Sequence, residues 1–252
     1  LGVALDTIDT VTGTITASTQ ISSVEEPGFL AAGGGLLFIG ASFGDTLAVY
    51  NPSTGQQEPV SLPELGGGPS DIVNMAASKG GLLFVGMYAE SIYASSVVAV
   101  VDGSTGAVEG TLNVSPVGGM AVKGETLFVA TDSKEETATV VVIDLTGKTP
   151  PRVLSVPAAG PGFSSLVVSP DGTTLYGLSA FENLLAEVDI STGSLLATYS
   201  LNTYENNMAL TPDGAKLYVS NQFSNDLTVI DTASGAITTI DVGSPTNFVA
   251  AR

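Results

Sequence analysis

Short apolar runs rich in β-branched residues follow one another along the chain, each bounded by Gly, Pro, Asp, Asn or Ser. That pattern predicts strands. No stretch sustains the 3.6-residue period of an amphipathic helix. The clearest stretch is Leu210 to Gly235, LTPDGAKLYVSNQFSNDLTVIDTASG. An apolar strand ends there in a Pro-Asp-Gly turn, and a second strand (Lys216 to Ser220) leads into a polar loop from Asn221 to Asn225. A third strand, Leu227 to Asp231, closes with a Thr-Ala-Ser-Gly turn.

The stretch repeats. Shifted back by 42 residues, Pro212, Asp213, Gly214, Leu217, Tyr218, Phe223, Asp231 and Gly235 fall on Pro170, Asp171, Gly172, Leu175, Tyr176, Phe181, Asp189 and Gly193. The closing glycine recurs at Gly13, Gly55, Gly106, Gly147, Gly193 and Gly235, and the second-strand aromatic at Phe38, Phe84, Phe128, Tyr176 and Tyr218. Repeats of about 40 to 45 residues with four strands are what propeller blades require. Radial packing buries both faces of a blade, which accounts for unbroken apolar runs such as Val97 to Val101 and Val140 to Ile143. The expectation is an all-β, six-bladed β-propeller of four-stranded antiparallel blades, a single domain over residues 1–252.

The runs SPDGTTLYGLS and TPDGAKLYVSNQFSNDLTVIDTASG resemble the YVTN type of β-propeller repeat. The likeness is strongest over the last two units. In earlier units the Pro-Asp-Gly turn is replaced by Lys123-Gly124 or Gly33-Gly34. The resemblance implies a propeller fold. Its function stays open, because such repeats occur in surface-layer proteins, periplasmic binding proteins and enzyme-associated propellers.

Whole repeats are expected at about 27–62, 69–113, 116–157, 161–201 and 204–242. The closing blade is expected to be shared between the two ends, from 1–22 plus 246–252. Leu1 to Gly13 aligns with a third strand, Thr14 to Ile21 with a fourth, and Thr246 to Ala251 with an innermost one. A second strand for that blade has no counterpart. Residues beyond those given, a three-stranded blade, or a strand from another chain would each account for it.

Composition narrows the chemistry. Cysteine and histidine are absent, so no disulfide, thiolate nucleophile or imidazole base is available. The 25 acidic and 7 basic residues give a net charge of −18, which repels nucleic acid and anionic membranes. No apolar run approaches the ~20 residues of a membrane helix. Low charge density, abundant Ser, Thr and Gly, and the YVTN likeness together suggest an extracytoplasmic protein: secreted, at the cell surface, or periplasmic.

In a propeller, the loops between second and third strands share one face, here called the top, with the connections between blades. The second-to-third-strand loops place Phe43, Phe181 and Phe223 at matching positions, and the longest adds Tyr88 and Tyr93. These rings form either a contact surface or caps folded over neighbouring blades. Asp45, Glu182 and Asp226 accompany them among many acids, whereas Lys79, Lys123 and Lys216 fall in first-to-second-strand turns on the bottom. At the channel mouth stand Asn74, Ser165, Asn207 and Asn247. Glu26, Asp71, Asn74, Glu205, Asn207 and Asn247 offer oxygens of the kind that bind Ca2+, or the amides bridge blades and bind water. The Asp residues of the Pro-Asp-Gly turns and of the third-strand ends read as turn formers.

The preferred expectation is a non-catalytic module that binds protein, peptide or glycan on an acidic, aromatic-bearing top face and requires no cofactor. The alternatives are a calcium-dependent propeller hydrolase or lactonase, and a structural unit of a surface layer or filament that shares strands or self-assembles.

Overall fold

The computed structural model describes residues 3–9, 12, 14–41, 44–62, 70–89, 96–114, 117–131, 137–157, 159–160, 162–179, 182–201, 205–221, 223–245 and 249–250. The described residues form strands and turns, with no helix. The chain opens with a two-stranded sheet, β1 (Val3–Ile8) and β2 (Ile15–Ile21). Five four-stranded antiparallel sheets follow. The first blade is β3 (Pro27–Gly33), β4 (Leu36–Ala41), β5 (Thr46–Asn51) and β6 (Gln56–Ser61). The second is β7 (Ser70–Ala77), β8 (Leu82–Ala89), β9 (Ser96–Asp102) and β10 (Val108–Leu112). The third is β11 (Met120–Lys123), β12 (Thr126–Thr131), β13 (Thr137–Asp144) and β14 (Arg152–Pro157). The fourth is β15 (Ser165–Val168), β16 (Thr174–Ser179), β17 (Leu184–Asp189) and β18 (Leu195–Ser200). The fifth is β19 (Glu205–Leu210), β20 (Lys216–Asn221), β21 (Asp226–Asp231) and β22 (Ile237–Asp241).

Each blade is a meander in which sequence neighbours pair, so short turns suffice and no crossover is needed. Innermost strands stand side by side, β3 with β7, β7 with β11, β11 with β15, and β15 with β19. This is a propeller arrangement. Second and third strands carry covered faces on both sides and are buried along most of their length, as in Leu217 to Asn221 and Leu227 to Ile230. Outermost strands are more exposed, and in β18 burial alternates along the strand, with Leu196, Thr198 and Ser200 on the exposed side. Their outer edges carry polar residues and, in β6, Pro59, which blunts further pairing.

Among the described residues the expected six four-stranded blades are corrected to five. The first unit of the sequence supplies only the third- and fourth-type strands, β1 and β2, and an antiparallel pair is all they make. Most of the innermost strand expected from the C-terminus, residues 246–248 and 251–252, lies outside the described residues, and Val249 and Ala250 belong to no strand.

Hydrophobic clusters fill the spaces between neighbouring blades. Phe38 and Leu47 of the first blade interlock with Ile72, Met75 and Met87 of the second. Phe84 and Val98 meet Met120, Leu127 and Val129 of the third, and Phe128 and Val140 of the third meet Phe163, Leu166 and Val188 of the fourth. Tyr176 and Leu185 then pack on Met208, Leu217 and Ile230 of the fifth. Burying one such side chain contributes about 1.5–3 kcal/mol, so these seams hold the blades in order. The β1–β2 sheet packs on both sides: Leu5 and Ile21 join Ile39 and Tyr50 of the first blade, and Ile8 joins Tyr218 and Leu227 of the fifth.

Two glycines let the third blade close on the fourth. A Cβ on Gly119 would lie 2.8 Å from the Ser165 backbone, and Gly118 would clash with the Phe163 carbonyl at 2.9 Å. Without side chains, the third blade approaches closely enough for the Gly119 N–H to donate to the Phe163 carbonyl at 2.8 Å.

Candidate binding face

The bottom turns repeat one construction. In the second to fifth blades the aspartate ending the third strand turns back and accepts from the turn that follows, and in the first blade Asn51 takes that place, its Oδ1 accepting from the Ser53 N–H at 2.9 Å. Asp102 accepts from the Ser104 amide (2.8 Å) and hydroxyl (2.7 Å), and Asp231 from those of Ser234 (2.9 and 2.7 Å). Asp189 takes the Ser191 hydroxyl and the Thr192 amide and hydroxyl. Asp144 accepts four such bonds, from the amides and hydroxyls of Thr146 and Thr149, and these donors lower its carboxyl to about 2. In the Pro-Asp-Gly turns, Asp171 accepts from Ser169 and Thr173, and Asp213 from Thr211 and Ala215. The same cause lowers Asp102, Asp171, Asp189, Asp213 and Asp231, chiefly through side-chain hydroxyls. These carboxylates serve their own turns.

The top face differs. Glu25, Glu26, Asp45, Glu182, Asp226 and Asp241 stand exposed there. Glu26 holds a left-handed backbone (φ 49°) at the entry to β3. Phe223 is presented at the top of the fifth blade, 67% exposed. Its loop is shaped locally: the Phe223 N–H donates to Asn221 Oδ1 (3.0 Å), and the Asp226 N–H to Ser224 Oγ (3.1 Å). Tyr88, near the end of β8, is half-buried. Phe43, Tyr93 and Phe181 lie outside the described residues.

At the channel mouth the side chains are engaged by the protein. Buried Asn74 joins three blades: its Oδ1 accepts from the Met120 N–H (3.3 Å) and its Nδ2 donates to the Ser164 carbonyl (3.1 Å). Asp71 accepts from the Gly44 N–H at 2.6 Å, tying the β4–β5 loop to the start of the second blade. Asn207 Oδ1 accepts from the Val249 N–H at 3.4 Å, and Ser165 is buried. Glu205 opens β19, and Asn247 lies outside the described residues. Among the described residues, no three carboxylate, His or Cys side chains gather as a metal site would require.

One feature extends the reading of the sequence and a second escaped it. Every described basic residue lies at the bottom. Lys148 and Arg152 join Lys79, Lys123 and Lys216 there, and Arg152 donates to the Ile190 carbonyl at 3.0 Å. The second is Ser179 at the top of β16, fully buried with its Oγ lacking a hydrogen-bond partner. The repeat held a signal for it, since the aligned positions Thr131 and Asn221 are also polar. A further polar cluster sits between the fourth and fifth blades, where the Tyr199 hydroxyl donates to Glu187 Oε2 at 3.0 Å. Burial, reinforced by the Glu187 charge, pushes the Tyr176 hydroxyl up to about 12.

No protein-family model and no curated protein matches the sequence. Solved structures do. A chain of the mitotic checkpoint complex superposes with a TM-score of 0.63 at 17% identity, covering 87% of this chain and 65% of that one. Hydrazine synthase from Kuenenia stuttgartiensis superposes with a TM-score of 0.64 at 16% identity, covering 98% of this chain and 83% of that one. This chain therefore spans about two thirds of the checkpoint-complex chain. At such identities the likeness establishes the fold alone: the chain is a β-propeller.

Proposed function

We propose that this propeller is a non-catalytic interaction module that binds a protein partner through its top face. The observation that carries the reading is Phe223, two-thirds exposed on a hydrogen-bonded loop amid exposed acids. An aromatic held in water by a shaped loop gains by being covered. The bottom carboxylates, by contrast, are committed to turn geometry. The superposed checkpoint chain belongs to a protein complex, which accords with this role.

In this reading the β1–β2 sheet takes the sixth blade position, supported by its packing on the first and fifth blades. The repeats belong with the YVTN type, and the protein works outside the cytoplasm, in keeping with its strongly acidic, cysteine-free composition. A calcium-dependent hydrolase would need the mouth oxygens turned to a metal. Asp71 and Asn74 instead bind backbone amides, so the binding role is preferred.

Panning a random peptide library on the wild-type protein tests the face. Selected peptides should lose affinity for Phe223→Ala and keep it for Leu196→Ala, which removes an exposed apolar side chain from the outer rim. Both variants should melt with the wild type. Equal binding to both, or loss on the rim variant alone, would overturn the top-face reading.

A further inference from the structure

We propose that an extended segment of a partner protein adds to this propeller as a strand beside β1, presenting a leucine, an aromatic ring and a valine in succession, and so completes the sixth blade. The inference rests on the β1–β2 sheet taking the sixth position and is independent of the top-face reading.

The repeat identifies the place. Ile8 and Asp9 align with Ile230 and Asp231, and the turns that follow agree: the Asp9 N–H donates to the Thr14 carbonyl at 2.9 Å, as the Asp231 N–H does to that of Ala236. β1 is therefore a third strand. Val249 marks the innermost place. Its N–H donates to Asn207 Oδ1 at 3.4 Å, as the Met120 N–H of the third blade donates to Asn74 Oδ1 of the second at 3.3 Å. In every complete blade a second strand lies between the innermost and third strands. Among the described residues no strand fills that place in the sixth position, and Ala4, Asp6 and Thr7 of β1 are exposed.

The neighbouring seams show which side chains the place takes. Between complete blades, the second-strand ring of one blade joins the second-strand leucine and an innermost side chain of the next. Phe38 joins Leu83 and Met75 in this way, and Tyr176 joins Leu217 and Met208. Leu83 and Leu217 are fully buried there. In the first blade the aligned Leu37 and Leu30, which face the sixth position, are only partly buried. Among the described residues the sixth position brings Leu5 and Ile21 to their cluster and no ring. The opposite seam has a matching deficit. The fifth blade gives Leu217, Val219 and Ile230 to its seam with the fourth, whereas the sixth position gives the fifth only Ile8, aligned with Ile230, and Val249. Successive side chains of a strand point to opposite faces. A leucine and a valine turned to the fifth blade, with a ring between them turned to the first, therefore continue both seams. Backbone bonds to β1 supply affinity, and the three side chains fix the register.

The test measures anisotropy of a fluorescent peptide with the sequence of the fifth blade's own second strand, Lys216 to Asn221. The peptide should bind, raise the melting temperature, and slow amide exchange in β1 while leaving β22 unchanged. The same residues in the order Lys-Tyr-Leu-Ser-Val-Asn turn the ring towards the fifth blade and should bind about tenfold more weakly or worse. Phe223→Ala should bind the first peptide as the wild type does. Absence of binding, equal binding of the two orders, or binding without protection of β1 would overturn the proposal. Ile8→Ala reads the sixth position separately, because it removes packing against the fifth blade. If that variant melts lower while the peptide fails to bind, the β1–β2 sheet keeps its place and strand addition falls. If the protein alone sediments as a dimer with β1 protected, the added strand comes from a second copy and the partner segment is overturned.

Discussion

β21 and β1 are the same strand of the repeat and have different surroundings. Leu227, Thr228, Val229 and Ile230 are almost wholly buried, whereas the aligned Leu5, Asp6, Thr7 and Ile8 are half-buried or exposed. Their sequence patterns agree at Leu227 and Leu5, at Ile230 and Ile8, and at the closing Asp231 and Asp9. The difference is what surrounds them. β21 lies between β20 and β22 in a complete blade, and β1 pairs with β2 alone among the described strands. Burial of a third strand is therefore a property of the assembled blade, and an apolar period records only the capacity for it.

That contrast can be broken by truncation. Leu227→Ala should cost about 2–5 kcal/mol by opening a cavity in the fifth blade, and Leu5→Ala about 1 kcal/mol or less, because its side chain is only partly removed from water. Urea unfolding of both variants checks this, and equal losses would show β1 to be as tightly enclosed as β21.

Acid attacks the turns instead of the aliphatic seams. Asp102, Asp144, Asp171, Asp189, Asp213 and Asp231 titrate below their ordinary 3.8 in the folded protein. The stability they contribute is present above pH 3.8 and is lost as pH falls through their folded values, about 2 for Asp144. Melting temperature should hold on acidification to about pH 4 and drop steeply below it. Asp144→Asn should shallow the acid limb.

A smaller effect sharpens the comparison at one position. Opposite the second-strand aromatic stand Val49, Val142 and Val229, and in the fourth blade Glu187. Glu187→Val places the usual side chain against Tyr176 but strips the Tyr199 hydroxyl of its acceptor. These effects nearly offset, so the melting temperature should move by no more than a few degrees, and Tyr176 should ionise at lower pH once the neighbouring charge is gone. Ultraviolet titration of the tyrosines checks the second point. The smallest expected effect is that of calcium: with Asp71 and Asn74 committed to amides, melting curves in calcium and in chelator should coincide, and a clear rise in calcium would restore the metal-site reading.

Much of the blade was legible because its causes are local. Pro170-Asp171-Gly172 specifies a turn by proline's fixed φ, aspartate's acceptors and glycine's positive φ, and the turn forms as read. The blade count was less legible. Leu5 and Ile8 carry the period of a complete blade, and no local signal reports whether a partner strand stands alongside. The candidate site was the least legible. Asn74 read either as a Ca2+ ligand or as an amide bridging blades, and it bridges; its partners Met120 and Ser164 were not legible because they are distant in sequence, and aligning repeats compares each blade with itself, never with the blade it touches. Ser179 is polar at a position where polarity recurs, yet only packing shows that its hydroxyl lacks a partner.

The Asn74 bridge also bears on the order of assembly. Its two partners belong to the third and fourth blades, so the amide is satisfied only when both have docked on the second. Each meander can form early from neighbouring hairpins, but this bond spans 90 residues and must await the intervening blade. Until then a polar group sits at a seam designed to exclude water. In refolding, amides near Met120 should gain protection together with those flanking Ser164 and later than the hairpin turns, making docking of the third blade the step that commits the chain.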